Sequence, residues 1–258
     1  MFNNKSAIAP PPKESLKIKK GFTLAEVLIT LGIIGVVVAL TLPTLIQNYQ
    51  KFVTVNRLKK EYSVISNAFV TSQAENGEMN TWGMGNLGNT GNGTKLLLPF
   101  YQNYIVKYLD VADDCGFNCI KQRNVKRYRL NGATWNWYSN AKYIIYLKDG
   151  AVIALLADNN GVVWGIVRMY VDINGDRGPN VSGKDIFTIL LETNGDSALK
   201  LSGIATIRST KNRNALLGNC RECCSKKVTA TGLSSYAGDF CAGLIQYDGW
   251  KISKDYPW

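Results

Sequence analysis

The chain has 258 residues, 30 Lys and Arg against 19 Asp and Glu, a formal net charge of +11, and no histidine. The missing imidazole removes the commonest general base and the commonest metal ligand. With no GxSxG nucleophile elbow and no P-loop in the sequence, an enzyme is the least favoured reading. The basic excess fits nucleic acid, anionic lipid or acidic polymer equally, with a solvated surface as the plain alternative.

The chain opens on a basic stretch, with Lys5, Lys13, Lys17, Lys19 and Lys20 against Glu14 and an Ala-Pro-Pro-Pro tract at 9–12. A 25-residue run, 22–46, follows Gly21 and carries one charge, Glu26. At about 1.5 Å per residue it is long enough to cross a bilayer core of roughly 30 Å. A carboxylate at the centre of such a helix costs about 2.5–3.5 kcal/mol on insertion scales, so an acid in this run asks for a partner. No small-residue cleavage site follows the run, which sets it apart from a conventional secretory signal. Three lysines (17, 19 and 20) before the run, against Lys51 close behind it, place the leader in the cytoplasm and the rest outside.

Gly21-Phe22-Thr23-Leu24-Ala25-Glu26 resembles the cleavage and methylation site of type IV pilins and type II secretion pseudopilins. The resemblance implies that a prepilin peptidase cuts between Gly21 and Phe22 and methylates the new amine of Phe22. It also implies that Glu26 matches the glutamate this family uses in assembly, and that a proline such as Pro43 accompanies a kink or local melting. The leader, with its proline tract, is longer than many in that family.

Beyond Pro43 the pattern turns amphipathic. Phe52, Val55, Leu58, Tyr62, Ile65 and Phe69 recur at spacings of three and four, predicting a helix that packs one face on a sheet and fades near Glu75-Asn76-Gly77. Thr81 to Thr94 reads as a Gly/Asn loop. It contains Gly83-x-Gly85-x-x-Gly88, with Asp110 farther on, but no apolar strand precedes it and no helix opens at its end, so a dinucleotide site is not expected. Lys95 to Leu109 is predicted as a short helix after Pro99. From Tyr128 the texture is β. Lys142–Leu147 and Ala151–Ala157 form a hairpin around Asp149-Gly150, a turn falls at Asn159-Asn160-Gly161, and Val162–Val171 and Ile186–Leu191 continue as strands. At least four antiparallel strands are expected.

Asp172, Asn174 and Asp176 alternate around Gly175, with Asp185 shortly after. Oxygen side chains so spaced could converge on calcium, although the acid of an EF-hand's twelfth position is replaced by Gly183. The competing reading is a sheet turn in which Asn174-Gly175 supplies positive φ and Pro179 stiffens the exit. Cys115, Cys119, Cys220, Cys223, Cys224 and Cys241 are an even set that reads as disulfides in an exported domain rather than a zinc cluster. Their pairing is open; Cys115 with Cys119, and Cys241 with one of the 220–224 group as pilins often have it, is the preferred arrangement. Six aromatic residues between Tyr236 and Trp258 suggest a terminal hairpin around Asp248-Gly249. With Arg208, Lys211, Arg213, Arg221, Lys226 and Lys227 nearby, they permit a DNA-binding surface.

The expected fold is therefore α+β and pilin-like: residues 1–21 a leader, 22–46 a transmembrane and assembly helix, 47–76 its amphipathic continuation, and 77–258 a globular head. The expected function is a pseudopilin or minor pilin in the bacterial inner membrane. Its expected partners are a prepilin peptidase, sister pilin or pseudopilin subunits, a filament assembly platform and membrane lipid. A membrane-anchored module binding DNA, sugar or calcium is the alternative.

Overall fold

The structure is a computed structural model that describes residues 21–82, 93–137, 142–156, 166–192, 198–201, 212–227 and 236–258. Two compact units divide the chain, Met1–Gln47 and Asn48–Trp258. The leader before Gly21, the Gly83–Gly88 motif, the Asn159–Gly161 turn, Arg208 and Lys211 lie outside the described residues.

Helix α1 runs Leu24–Asn76 and continues through Pro43. A proline inside a helix removes one backbone hydrogen bond, yet the helix runs unbroken through this position. In the first unit the helix exposes Leu28, Ile33, Val36, Leu40 and Leu45. It contains a window long and apolar enough to cross a membrane.

In the second unit, α1 buries Thr54, Val55, Leu58, Glu61, Ile65, Ala68, Phe69 and Ser72, a stripe at spacings of one, three and four. Phe52, expected on that face, is instead 67% exposed; the buried stripe starts only at Thr54. The facing layer is a six-stranded antiparallel sheet in simple sequence order: β1 Val111–Phe117, β2 Tyr143–Leu147, β3 Val152–Leu156, β4 Ile166–Asp172, β5 Ile186–Glu192 and β6 Ala198–Leu201. Side chains alternate across the strands. Ile145, Ile153, Leu155, Met169, Val171, Phe187 and Ile189 share one apolar cluster with Leu58, Ile65 and Phe69 of the helix. The opposite faces of the same strands carry Ile144, Val152, Ala154, Tyr170 and Ile186, which pack with Cys119, Trp135 and Trp137. The central strands are thus buried on both faces, which is why they read as nearly continuous apolar runs.

The β2–β3 hairpin forms where the sequence puts it, pairing Tyr143 with Leu155 and Tyr146 with Val152. Gly150 takes φ +94° in its turn, and the Ala151 N–H donates to Asp149 Oδ1 at 3.0 Å. Strand β1 was not expected. Its sequence, VADDCGF, is charged and irregular, and its pairing with β2 shifts register between Val111 and Asp113 and again between Asp114 and Gly116. Charges and bulges are what protect an edge strand from further pairing, and they also erase its alternation. Helix α2 spans Gly93–Tyr104 with Pro99 inside it rather than before it. Its Phe100 and Tyr104 meet Trp82 at ring distances of 6.3 and 4.7 Å.

The C-terminal hairpin is a correction. Helix α3 spans Arg213–Leu217, and Cys241–Tyr247 forms helix α4. Cys241, Ala242, Gly243, Leu244 and Ile245 are all buried, so the helix is enclosed on every side there, and the Asp248-Gly249 turn ends it instead of joining two strands.

One buried acid on α1 has a measurable consequence. The Glu61 side chain is 3% exposed and lies 3.5 Å from Lys60 Nζ, which itself reaches Asp149 Oδ2 at 2.7 Å. Glu61 Oε2 has no hydrogen-bond partner. Burial, and then the charge of Asp149, push the Glu61 carboxyl from its ordinary 4.5 to about 7, against the pull of Lys60. Because the folded state holds this proton more tightly than the unfolded state, the contribution is complete below about pH 4.5 and lost as pH rises through about 7. Urea unfolding between pH 5 and pH 8 should therefore show stability falling with pH, and Glu61→Gln should reduce that slope, leaving the part that comes from Asp172, whose carboxyl burial also raises. An unchanged slope in the variant would assign the effect to another group.

Candidate functional site

The sequence-predicted processing residues stand at the start of α1. Gly21, Phe22 and Thr23 precede the helix, and Phe22 is 90% exposed. Thr23 caps the helix: its carbonyl accepts from the Val27 N–H at 3.2 Å, and its Oγ1 accepts from the Glu26 N–H at 3.2 Å. Glu26 reaches back in return. Its Oε2 accepts from the Thr23 N–H and from the Thr23 hydroxyl, each at 2.8 Å. This is a reciprocal capping box, in which two otherwise orphaned N–H groups are satisfied by one Thr-x-x-Glu pair. A carboxylate in the first turn is also favoured by the positive end of the helix dipole. The role of Thr23 was missed from the sequence, although Thr-x-x-Glu before an apolar run is the standard signature. The bond between Gly21 and Phe22 lies just outside the capped helix.

The aspartates at 172–185 form a different kind of site. Asp172 ends β4 with its side chain fully buried, and Arg127 Nη2 lies 3.2 Å from its Oδ2. The same Arg127 nitrogen donates to Asp176 Oδ1 at 2.8 Å. Asp176 also accepts from Gln122 Nε2 at 3.1 Å and from the Tyr146 hydroxyl at 3.0 Å. Arg127 donates to Gln122 Oε1 as well, and its guanidinium stacks 4.0 Å from the Trp137 ring centroid. Asp185 is held by the backbone, accepting from the Asn180 N–H at 2.7 Å and the Val181 N–H at 2.6 Å. Burial pushes the Asp172 carboxyl up to about 8 while Arg127 opposes the shift. Burial also raises Asp185, against its two N–H donors.

Asn174 is tied within the turn through Nδ2, which donates to the Gly178 carbonyl at 3.2 Å. Gly175 has φ +70°, and a Cβ there would fall 2.4 Å from the Gly150 carbonyl oxygen. Only glycine fits that approach.

Calcium takes six to eight oxygens. At this turn the buried side-chain oxygens without a hydrogen-bond partner are Asp172 Oδ1 and Asn174 Oδ1. Among the described residues no group of three or more His, Cys, Asp or Glu side chains is placed to hold a metal ion. The donor set at Asp172, Asn174, Asp176 and Asp185 does not fit the calcium reading, because its acids do not converge on one point and instead turn to separate protein donors, Asp172 and Asp176 to Arg127 and Asp185 to the Asn180 and Val181 N–H groups. A thermal melt with EGTA and then with added calcium should give one unchanged midpoint, whereas an upward shift with calcium would reinstate the cation.

The six cysteines form three disulfides: Cys115–Cys119, Cys220–Cys223 and Cys224–Cys241. The last closes the longest loop, 17 residues in separation, and so constrains the unfolded chain most. It sets Cys241 against Gly183, where φ is +81° and an added Cβ would lie 2.6 Å from the Cys241 sulfur. The basic residues offered for DNA are partly committed. Arg213 binds Asp248 and Asp255, Lys226 donates to the Trp258 carbonyl, and Arg221 stacks on Tyr236 at 4.1 Å.

Comparison with known proteins separates the chain at the same region where its two units meet. Residues 16–42 match the prokaryotic N-terminal methylation motif, the signature of type IV pilins and pseudopilins. Residues 44–258 match a family described as a family of unknown function, DUF6613. Neither a curated protein nor a solved structure matches the chain. Since that second match covers most of its length, the chain belongs to the DUF6613 family, and it carries the N-terminal methylation motif of a type IV pilin-like or pseudopilin subunit.

Proposed function

We propose that this protein is a structural subunit of a type IV filament or type II secretion machine, inserted in the membrane and polymerised through the first half of α1. The observation that carries the reading is the methylation motif at residues 16–42, set on a helix whose apolar side chains stand exposed around a single acid. In the membrane, lipid covers that surface. On assembly the helices leave lipid for one another, so apolar burial is kept while side-chain packing is gained.

A prepilin peptidase cuts between Gly21 and Phe22 and methylates the released amine. The leader lies on the cytoplasmic side and the second unit outside, followed by incorporation into a filament on an assembly platform beside sister subunits. The residues 1–21, 22–46, 47–76 and 77–258 then act in turn as leader, membrane and assembly helix, helical continuation and head.

Glu26 has two tasks in this scheme. Within its own chain it caps α1. Between chains its carboxylate pairs with the Phe22 ammonium of a neighbour, so that two charges costly to bury singly offset each other. A neutral amide can cap but cannot pair with a cation, and capping boxes accept either Glu or Gln. Glu26→Gln separates the tasks.

In cells carrying the cognate assembly system, Glu26→Gln and Glu26→Ala should both insert and be cleaved, with filament yield falling about tenfold, the effect of some 1.4 kcal/mol. Thr23→Ala, which loses a cap worth about 1 kcal/mol, should reduce yield less. Wild-type yield from Glu26→Gln would leave only the capping role. N-terminal sequencing of native material beginning at Met1 would overturn the processing step.

A further inference from the structure

Two grooves flank the opening turns of α1 in the second unit. One is lined by Lys51, Phe52, Val55, Trp250, Lys251 and Ile252. The other is lined by Tyr49, Arg57, Lys184 and Trp258 among others. Tyr49 and Phe52 are each 67% exposed, although an exposed aromatic ring on a packed helix gives up much apolar burial. The two C-terminal indoles come in beside them. Lys51 Nζ lies 6.0 Å from the Trp258 ring centroid, and Lys59 Nζ lies 5.6 Å from that of Trp250.

The charge here is unbalanced. Lys60, Lys107, Lys121 and Lys148 elsewhere on this unit each meet a carboxylate. Lys51, Arg57, Lys184 and Lys251 meet none among the described residues. The neighbouring acids are already engaged: Asp185 by the Asn180 and Val181 N–H groups, and Asp248 and Asp255 by Arg213.

Position along the chain identifies what this surface meets. Tyr49 follows Ile46, the last residue of the apolar run, by three residues, or about 4.5 Å of helical rise. Exposed aromatic rings beside lysines immediately past a hydrophobic span are the chemistry of a bilayer interface. Their long stems lie along apolar surface while the ammonium groups stay wet, and uncompensated cations at that depth attract anionic headgroups.

We propose that Tyr49, Lys51, Phe52, Trp250, Lys251 and Trp258 form a membrane-resting surface that engages the headgroups of anionic lipids before the subunit enters a filament. The inference rests on the insertion of α1 proposed above.

The test uses the full chain reconstituted into vesicles of phosphatidylcholine, alone or mixed with phosphatidylglycerol, with brominated acyl chains as quenchers of tryptophan fluorescence. Flotation is scored on every sample. Quenching assigned to Trp250 and Trp258, by difference from Trp250→Phe and Trp258→Phe, should rise about twofold with the anionic lipid. It should fall back in 1 M salt, where the screening length shrinks from about 10 Å at 0.1 M to about 3 Å. Lys51→Glu with Lys251→Glu should abolish the increment while flotation is unchanged. Equal quenching in both vesicle types overturns the proposal. So does a signal that follows the protein-to-lipid ratio instead of the anionic lipid, which would make the occupant a second copy. Chains that fail to float at all overturn the insertion reading itself.

Discussion

An apolar helical surface without a protein cover is the constraint that orders the rest of this molecule. Leu24, Leu28, Leu31, Ile34 and Leu40 are each more than half exposed. At about 25 cal/mol per Å² of apolar surface, leaving such a run in water is untenable. It must be solvated by lipid or by other helices. Glu26 sits inside that run, and its two contacts from Thr23 moderate the problem. A capped carboxylate is partly solvated by its own chain, so its entry into a low-dielectric setting costs less than that of a bare acid. The cap also fixes where the helix begins, two residues after the proposed cleavage point, and so holds the acid and the future amine in a set relation along the chain.

The second unit answers a different demand. A helix laid on one face of a sheet would leave the other face to water, yet here residues 118–137 cross the outer face. Trp135 meets Tyr170 edge-on at 4.7 Å and Trp137 lies tilted to it at 6.4 Å, and Arg129 lies 3.5 Å from the Trp135 ring centroid. Arginine suits this place because its planar guanidinium is weakly hydrated and stacks on aromatic faces. Each buried arginine also has an acid: Arg127 meets Asp172 and Asp176, and Arg129 meets Asp239 at 2.7 Å. Such buried pairs contribute little net stability over an apolar replacement, but removing one partner is costly. Asp172 and Asp176, which resemble calcium ligands in sequence, are thus part of the fastening of this outer layer.

Much of this was legible in the sequence, for identifiable reasons. The 22–46 run and the β2–β3 hairpin each rest on local signals, length and apolarity for the first and a Gly-containing turn between β-rich runs for the second. The aspartates at 172–185 were legible as an oxygen-rich turn but not in their partners. Arg127 lies 45 residues away from Asp172 along the chain, and no spacing rule connects them. Strand β1 was hidden because an edge strand carrying Asp113 and Asp114 lacks alternation. Helix α4 was hidden because Asp248-Gly249 and scattered aromatic residues resemble a hairpin, while the contact that fixes its first residue, the Cys224–Cys241 disulfide, spans 17 residues. The capping box at Thr23 was readable in principle, but the cleavage signature occupies the same six residues.

That overlap bears on how the two parts of the chain are joined. The methylation motif ends at residue 42, the DUF6613 match begins at 44, and the compact units divide after Gln47. All three boundaries fall inside α1, which is helical throughout Leu24–Asn76. A Gly/Ser-rich linker would have marked a junction between independent modules; here a helix carries both. Only Pro43 interrupts its hydrogen bonding at that point, and Gln47, Asn48 and Gln50 are the first sustained polar residues after the run. The junction is therefore one of solvent preference, apolar on one side and amphipathic on the other. Tyr49, Lys51 and Phe52 follow directly where the apolar run gives way to polar residues along the chain.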